Sequence, residues 1–175
     1  DGVSCFPLFH GYEMFKRLWD EGYLIPDYSV IRLMWNVGRG DEHFLVLEDV
    51  DIIIITVGTP LMDDYSANMD HIISASESVS KHIKKGHLVI LKSTIPPFTT
   101  ENVVKPILEK SGLQAGKDFG LVFSPERLAE GNAIKEFQSI PIIVGGVDDK
   151  SSKISSLFWQ HILGVETMIV SNLKT

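Results

Sequence analysis

Four consecutive isoleucines, Ile52 to Ile55 in VDIIIITVGTP, constrain this chain more than any other feature. A strand with one face in water alternates apolar and polar residues. An unbroken β-branched run ended by Gly58 and Pro60 belongs instead to a strand covered on both faces. Such a strand needs a layer above it and another below, and the sequence supplies both. HLVILKS, FGLVFS, IPIIVGG and ETMIV repeat the apolar run, and stretches of helical period lie between most of them. SANMDHIISASESVSKHIKKG sets Met69, Ile72, Ile73, Val79 and Ile83 at helical spacing, with Ser66 expected as its N-cap and Gly86 as the residue just past its C-terminus. TTENVVKPILEKSG directs Val103, Val104, Ile107 and Leu108 inward and is expected to break or bend at Pro106. DDKSSKISSLFWQHILG puts Ile154, Leu157, Phe158 and Ile162 on one face. About five strands alternating with helices of this length predict right-handed crossovers and an α/β, doubly wound, mostly parallel sheet.

This pattern begins near residue 45. Residues 1–44 lack it; GYEMFKRLWDEG fits a short helix with Met14, Phe15, Leu18 and Trp19 inward, and the segment after it has no clear period. The 175 residues are enough for one domain with a real core. A net charge of −7, with lysines scattered among acids, excludes a nucleic-acid surface as the expected role. No apolar run approaches the ~20 residues of a membrane-spanning helix, so no membrane partner is expected, and the first residues lack the features of a signal peptide. The single cysteine, Cys5, excludes an internal disulfide framework and fits a reducing cytosol. The six histidines form no metal-ligand spacing, so no metal site is expected. The opening at Asp1 and the stop at Thr175 suggest a portion of a longer protein.

In open α/β sheets, ligands occupy the crevice beyond the carboxyl ends of the strands. Those ends read VGTP (57–60), KSTIPP (92–97) and SPERLAEG (124–131), all with small or hydroxylic residues and prolines. A Gly-x-Gly-x-x-Gly turn after an early strand would complete a dinucleotide site. GRGDEH from Gly38 lacks the third glycine and has no clear strand before it. Residues 45–175 therefore suggest the second half of a dinucleotide-binding domain without its phosphate-binding half. Within SPERLAEG, local chemistry has its own explanation. Ser124 suits an N-cap, Pro125 the first helical position, Glu126 the positive helix end, and Gly131 the C-terminal stop. Glu126 and Glu130, four apart, would share a helix face, so capping and catalysis both remain open for Glu126. Thr94 and Thr59 are compatible with simple strand-end roles, Lys92 is expected to be a solvated tip, and Cys5 an ordinary half-buried thiol.

In order and spacing, DVDIIIITVGTPL, HLVILKSTIPPFTTENVVKPIL, SPERLAEGNAIKEF and PIIVGG resemble the nucleotide-sugar 6-dehydrogenases, the family of UDP-glucose, GDP-mannose and UDP-N-acetylmannosamine dehydrogenases. The resemblance runs from about Asp49 to Lys174 and implies the later part of a Rossmann-like NAD domain. It implies oxidation of a UDP-sugar C6 alcohol to a carboxylate with two NAD⁺ reduced, through a cysteine-bound thiohemiacetal and a thioester that water hydrolyses. Carried over by motif, Glu126 is the acid/base carboxylate and Thr94 orients water near the nicotinamide. Glu130 assists there and also lines the cofactor site, Thr59 lines the NAD cleft, and the backbone of Arg127 and Leu128 meets the nucleotide sugar. The arginine after Glu126 leans toward the N-acetylhexosamine branch and the AEG triplet around Glu130 the other way, with UDP-N-acetylmannosamine slightly favoured over UDP-glucose. The family implies a cytosolic enzyme whose homo-oligomer forms only in the full-length protein. The family's fingerprint glycines and nucleophilic cysteine are not matched: Cys5 in GVSCFP lies upstream of SPER, whereas the family's Gly-x-Cys-Phe-Pro loop lies far downstream. The chain alone is therefore expected to be inactive, and a truncated, non-catalytic nucleotide-binding module is the alternative.

Overall fold

The computed structural model describes residues 51–127, Glu136 and residues 139–173. The five expected strands are β1 (Ile52–Ile55), β2 (Leu88–Leu91), β3 (Gly120–Phe123), β4 (Ile142–Gly146) and β5 (Thr167–Val170). They form one sheet in the order β1-β2-β3-β4-β5. β1, β2 and β3 are parallel, in registers that set Ile52 against Leu88 and Leu88 against Gly120. β4 runs antiparallel to β3, with Val122 opposite Gly146, and β5 runs parallel to β4. The reversal at β4 was not visible in the sequence, because IPIIVGG reads as a buried run in either direction. The parallel strands β1, β2 and β3 end together on one edge, and β4 and β5 end on the opposite one.

The sheet is covered on both sides. On one side α1 (Asp70–Ser80) and α2 (Lys105–Glu109) close over Ile53, Ile55, Val89, Leu91 and Leu121, to which they contribute Ile72, Val79, Val104 and Leu108 from the two helices and the turn before α2. On the other side α3 (Asp149–Leu163) covers Leu88, Ile90, Val122 and Val144 with Phe158 and Trp159. Each fully buried aliphatic side chain contributes roughly 1.5–3 kcal/mol relative to exposure, and β2, buried at all four positions, is the centre of both layers.

Several local expectations need correcting. Ser66 does not cap α1; Asp64 takes both its hydroxyl (2.6 Å) and its backbone N–H (2.9 Å) in a tight turn. The helix starts later, at Asp70, whose N–H donates to Asn68 Oδ1 at 2.8 Å. Gly86 is not a helix terminator either. α1 ends at Ser80, and Gly86, at φ +93°, turns the chain into β2 while its N–H reaches Asp118 O. The helix around Pro106 does not break. Thr100–Val104 winds as a π turn, Lys105 N–H donates to Thr100 O, and α2 continues from there. The register changes just before the residue that has no N–H to give, with Val104, Ile107 and Leu108 buried and Val103 only partly so.

The largest departure is in α3. Its buried residues include Ser151, Ser152, Ser155, Ser156, Phe158 and Trp159, whereas Ile154 and Leu157 are 42% and 55% exposed; the Ile162 side chain lies outside the described residues. Small side chains bring this helix close to the sheet. A Cβ on Gly146 would sit 2.6 Å from Ser152 N, and one on Gly120 3.1 Å from Ser151 Oγ. Gly146 N–H donates to Ser152 Oγ at 2.9 Å, and Asp148 caps the helix by accepting from Ser151 N–H at 2.7 Å. Gly164, at φ +63°, closes it.

Candidate functional site

Because β1, β2 and β3 are parallel, the chain leaves the sheet three times on the same edge, at Val57–Pro60, Lys92–Pro97 and Ser124–Arg127. Hydroxyls lace these exits together. Ser93 Oγ donates to Val57 O at 2.6 Å and Thr59 Oγ1 to Thr94 O at 2.6 Å. Thr94 Oγ1 in turn donates to Glu126 O at 3.3 Å. Ser93 is buried, Thr59 half-buried and Thr94 exposed, so the rim grades from a fixed base to an open lip. A Cβ built on Gly58 would meet nothing within 4 Å; the backbone at the end of β1 is open to close approach.

The structure thus brings Thr59, Thr94 and Glu126 onto one rim. The side chain of Glu126 is 38% exposed and is held at both oxygens: Arg127 N–H donates to Oε1 at 2.8 Å, and Lys92 Nζ lies 3.4 Å from Oε2. The Arg127 guanidinium separately donates from Nη2 to Pro141 O. Ser124 does not act as the expected cap. It is fully buried, its hydroxyl has no partner among the described residues, and the Arg127 N–H that a cap there could take goes to the Glu126 carboxylate. Leu128 and Glu130 lie outside the described residues, as do Cys5 and the short helix expected around Met14.

Lys92 is the residue that sequence reasoning misjudged. It is not a solvated tip but 7% exposed. Its ammonium donates to Pro125 O at 3.2 Å as well as to Glu126, and lies 5.9 Å from the centre of the Trp159 ring. Burial lowers its pKa, the charge and hydrogen bond of Glu126 oppose that shift, and the neighbouring Arg127 charge adds to it. A signal was present: in LVILK, Lys92 continues the Leu88–Ile90 face by strand alternation, and that face packs under α3.

Chemically, the rim carries a fixed, partly exposed carboxylate and, bonded to the same residue's backbone carbonyl, an exposed threonine hydroxyl, groups of the kind that move a proton and orient a water or alcohol. Comparison with known proteins gives this arrangement a context. The model of the UDP-glucose/GDP-mannose dehydrogenase family NAD-binding domain matches residues 42–163. Among curated relatives, UDP-N-acetyl-D-glucosamine 6-dehydrogenase of Pseudomonas aeruginosa is 33% identical over 129 residues, covering 73% of this chain and 31% of that protein. UDP-glucose 6-dehydrogenase of Rickettsia prowazekii is 38% identical over 127 residues, 71% of this chain and 28% of the relative. Among solved structures, NDP-N-acetyl-D-galactosaminuronic acid dehydrogenase of Methanosarcina mazei superimposes with a TM-score of 0.70 at 34% identity, over 75% of this chain and 28% of that one. The chain therefore spans less than a third of the length of each of these proteins.

Proposed function

This chain belongs to the UDP-glucose/GDP-mannose dehydrogenase family, and we propose that it supplies part of the NAD-binding domain of an enzyme oxidising the C6 alcohol of a UDP-sugar, of UDP-N-acetylmannosamine or UDP-glucose type, to a carboxylate. One observation carries this reading: Glu126, held at both oxygens yet partly exposed, lies on the same rim as the exposed Thr94. The rim suits the nicotinamide end of NAD, because Gly58 leaves the backbone approachable and Thr59 and Thr94 line the opening. NAD⁺, when bound, supplies the two-electron acceptor.

In this reading the chain's own residues handle protons and position. Glu126 acts as acid/base, taking a proton from the water or hydroxyl that reacts. Thr94 spends its hydroxyl hydrogen on Glu126 O, so its oxygen is available to accept from, and orient, that water. Glu130 assists at the same place and lines the cofactor cleft with Thr59, while the backbone of Arg127 and Leu128 meets the nucleotide sugar. The enzyme is proposed to be cytosolic and to assemble as a homo-oligomer through parts beyond this domain; among the described residues no helix is long and apolar enough to cross a membrane.

The test is NADH formation, followed by absorbance, with each UDP-sugar. The 175-residue chain alone is expected to give none. In the dehydrogenase that carries it, Glu126→Gln is expected to lower kcat by roughly 10²–10⁴-fold, the range of a lost general acid–base group. Turnover that survives Glu126→Gln undiminished rejects the assignment.

A further inference from the structure

We propose that Lys92 is a positioning residue for Glu126, a buried ammonium that fixes the carboxylate at the rim from beneath. The inference rests on the acid/base reading of Glu126 given above and adds the residue through which that carboxylate is held.

An ammonium is costly to bury, and a buried ion pair is weak evidence for stability, because an apolar residue of similar size often serves the fold equally well. Lys92 is nevertheless enclosed at the end of β2, and its ammonium reaches the rim at two points. It donates to the carbonyl of Pro125, the residue before Glu126, and to Glu126 Oε2. The face of Trp159, brought down by the close seating of α3, lies above the cation, an arrangement worth more when desolvated than in water. The side chain of Lys92 is 8% exposed and that of Glu126 38%. The pair thus has a fixed inner member and an outer member that meets solvent. With Arg127 N–H on Oε1, the Lys92 contact on Oε2 defines the carboxylate plane from both sides. Displacements of about 1 Å in such a group can cost roughly 10²-fold in rate. Among the described residues, the charged groups facing Lys92 include Glu126 and Arg127.

The experiment compares Lys92→Met, which keeps the length without the charge, with Lys92→Arg. In the isotopically labelled chain, Glu126 is expected to hold one side-chain rotamer in the parent and in Lys92→Arg, and to average among rotamers in Lys92→Met. In the dehydrogenase, Lys92→Met is expected to lower kcat about 10–100-fold while KM for sugar and NAD⁺ stays within about threefold, with Lys92→Arg recovering most of the rate. A single unchanged rotamer, or an unchanged kcat, in Lys92→Met overturns the proposal. When kcat survives Lys92→Met but not Glu126→Gln, the catalytic reading stands and only the positioning role fails. When Glu126→Gln leaves turnover intact, the catalytic reading itself fails, and the role of Lys92 in catalysis with it. Should Lys92→Met not fold, Glu126→Gln reports on the pair from the other side: the Lys92 amine is expected to titrate at lower pH than in the parent, and an unmoved titration overturns the proposal.

Discussion

Under α1 and α2 the sheet presents Ile53, Ile55, Val89, Leu91 and Leu121, whereas on its other side α3 brings down Ser151, Ser152, Ser155 and Ser156, flanked by Phe158 and Trp159. The first interface is filled by large aliphatic side chains at helical and strand spacing. The second is filled by proximity: glycines on β3 and β4 and serines on α3 let backbone approach backbone, as Gly146 and Ser152 show. The difference reaches the candidate site. A helix held off by leucines would not bring Trp159 within 5.9 Å of the Lys92 ammonium, so the small-residue interface is part of what shapes the rim.

The comparison can be broken by substitutions on each side. Leu121→Ala, in the aliphatic layer, is expected to cost about 2–5 kcal/mol in urea unfolding, through lost transfer energy and the cavity left behind. Gly146→Ala, beneath α3, is expected to cost about 1–3 kcal/mol, because the new methyl group meets the backbone of Ser152 and Asp148 and must push the helix away. A neutral Gly146→Ala would mean that α3 is not seated as closely as described. Leu157→Gln is expected to change stability by less than about 0.5 kcal/mol, since that leucine faces outward on α3; a loss of several kcal/mol would return it to the core where helical spacing had put it.

Much of the fold was legible in advance. The isoleucine run, its four successors and the helical stretches between gave the five strands, the doubly wound arrangement and the three exits that form the rim, because burial on both faces forces continuous apolar runs. Glu126 and Thr94 stand out by motif, and the nearness of their two strand exits follows from β2 and β3 being parallel neighbours. Other features were not. Ser66 looked like a helix cap because Ser, Asp and Asn favour caps and turns alike, and Asp64 won the competition for it. The inward face of α3 was misread because hydrophobic periodicity treats serine as polar, whereas opposite glycine it is a small residue that packs.

What the sequence determined by itself was the set of elements and the chemistry available at their ends, since these depend on local pattern and on which residues must leave water. The direction of β4, the buried side of α3 and the enclosure of Lys92 were decided only in three dimensions. Each depends on which surface another part of the chain brings into contact, and a lysine that reads as a solvated tip becomes an internal cation once Trp159 closes over it and Glu126 supplies its counter-charge.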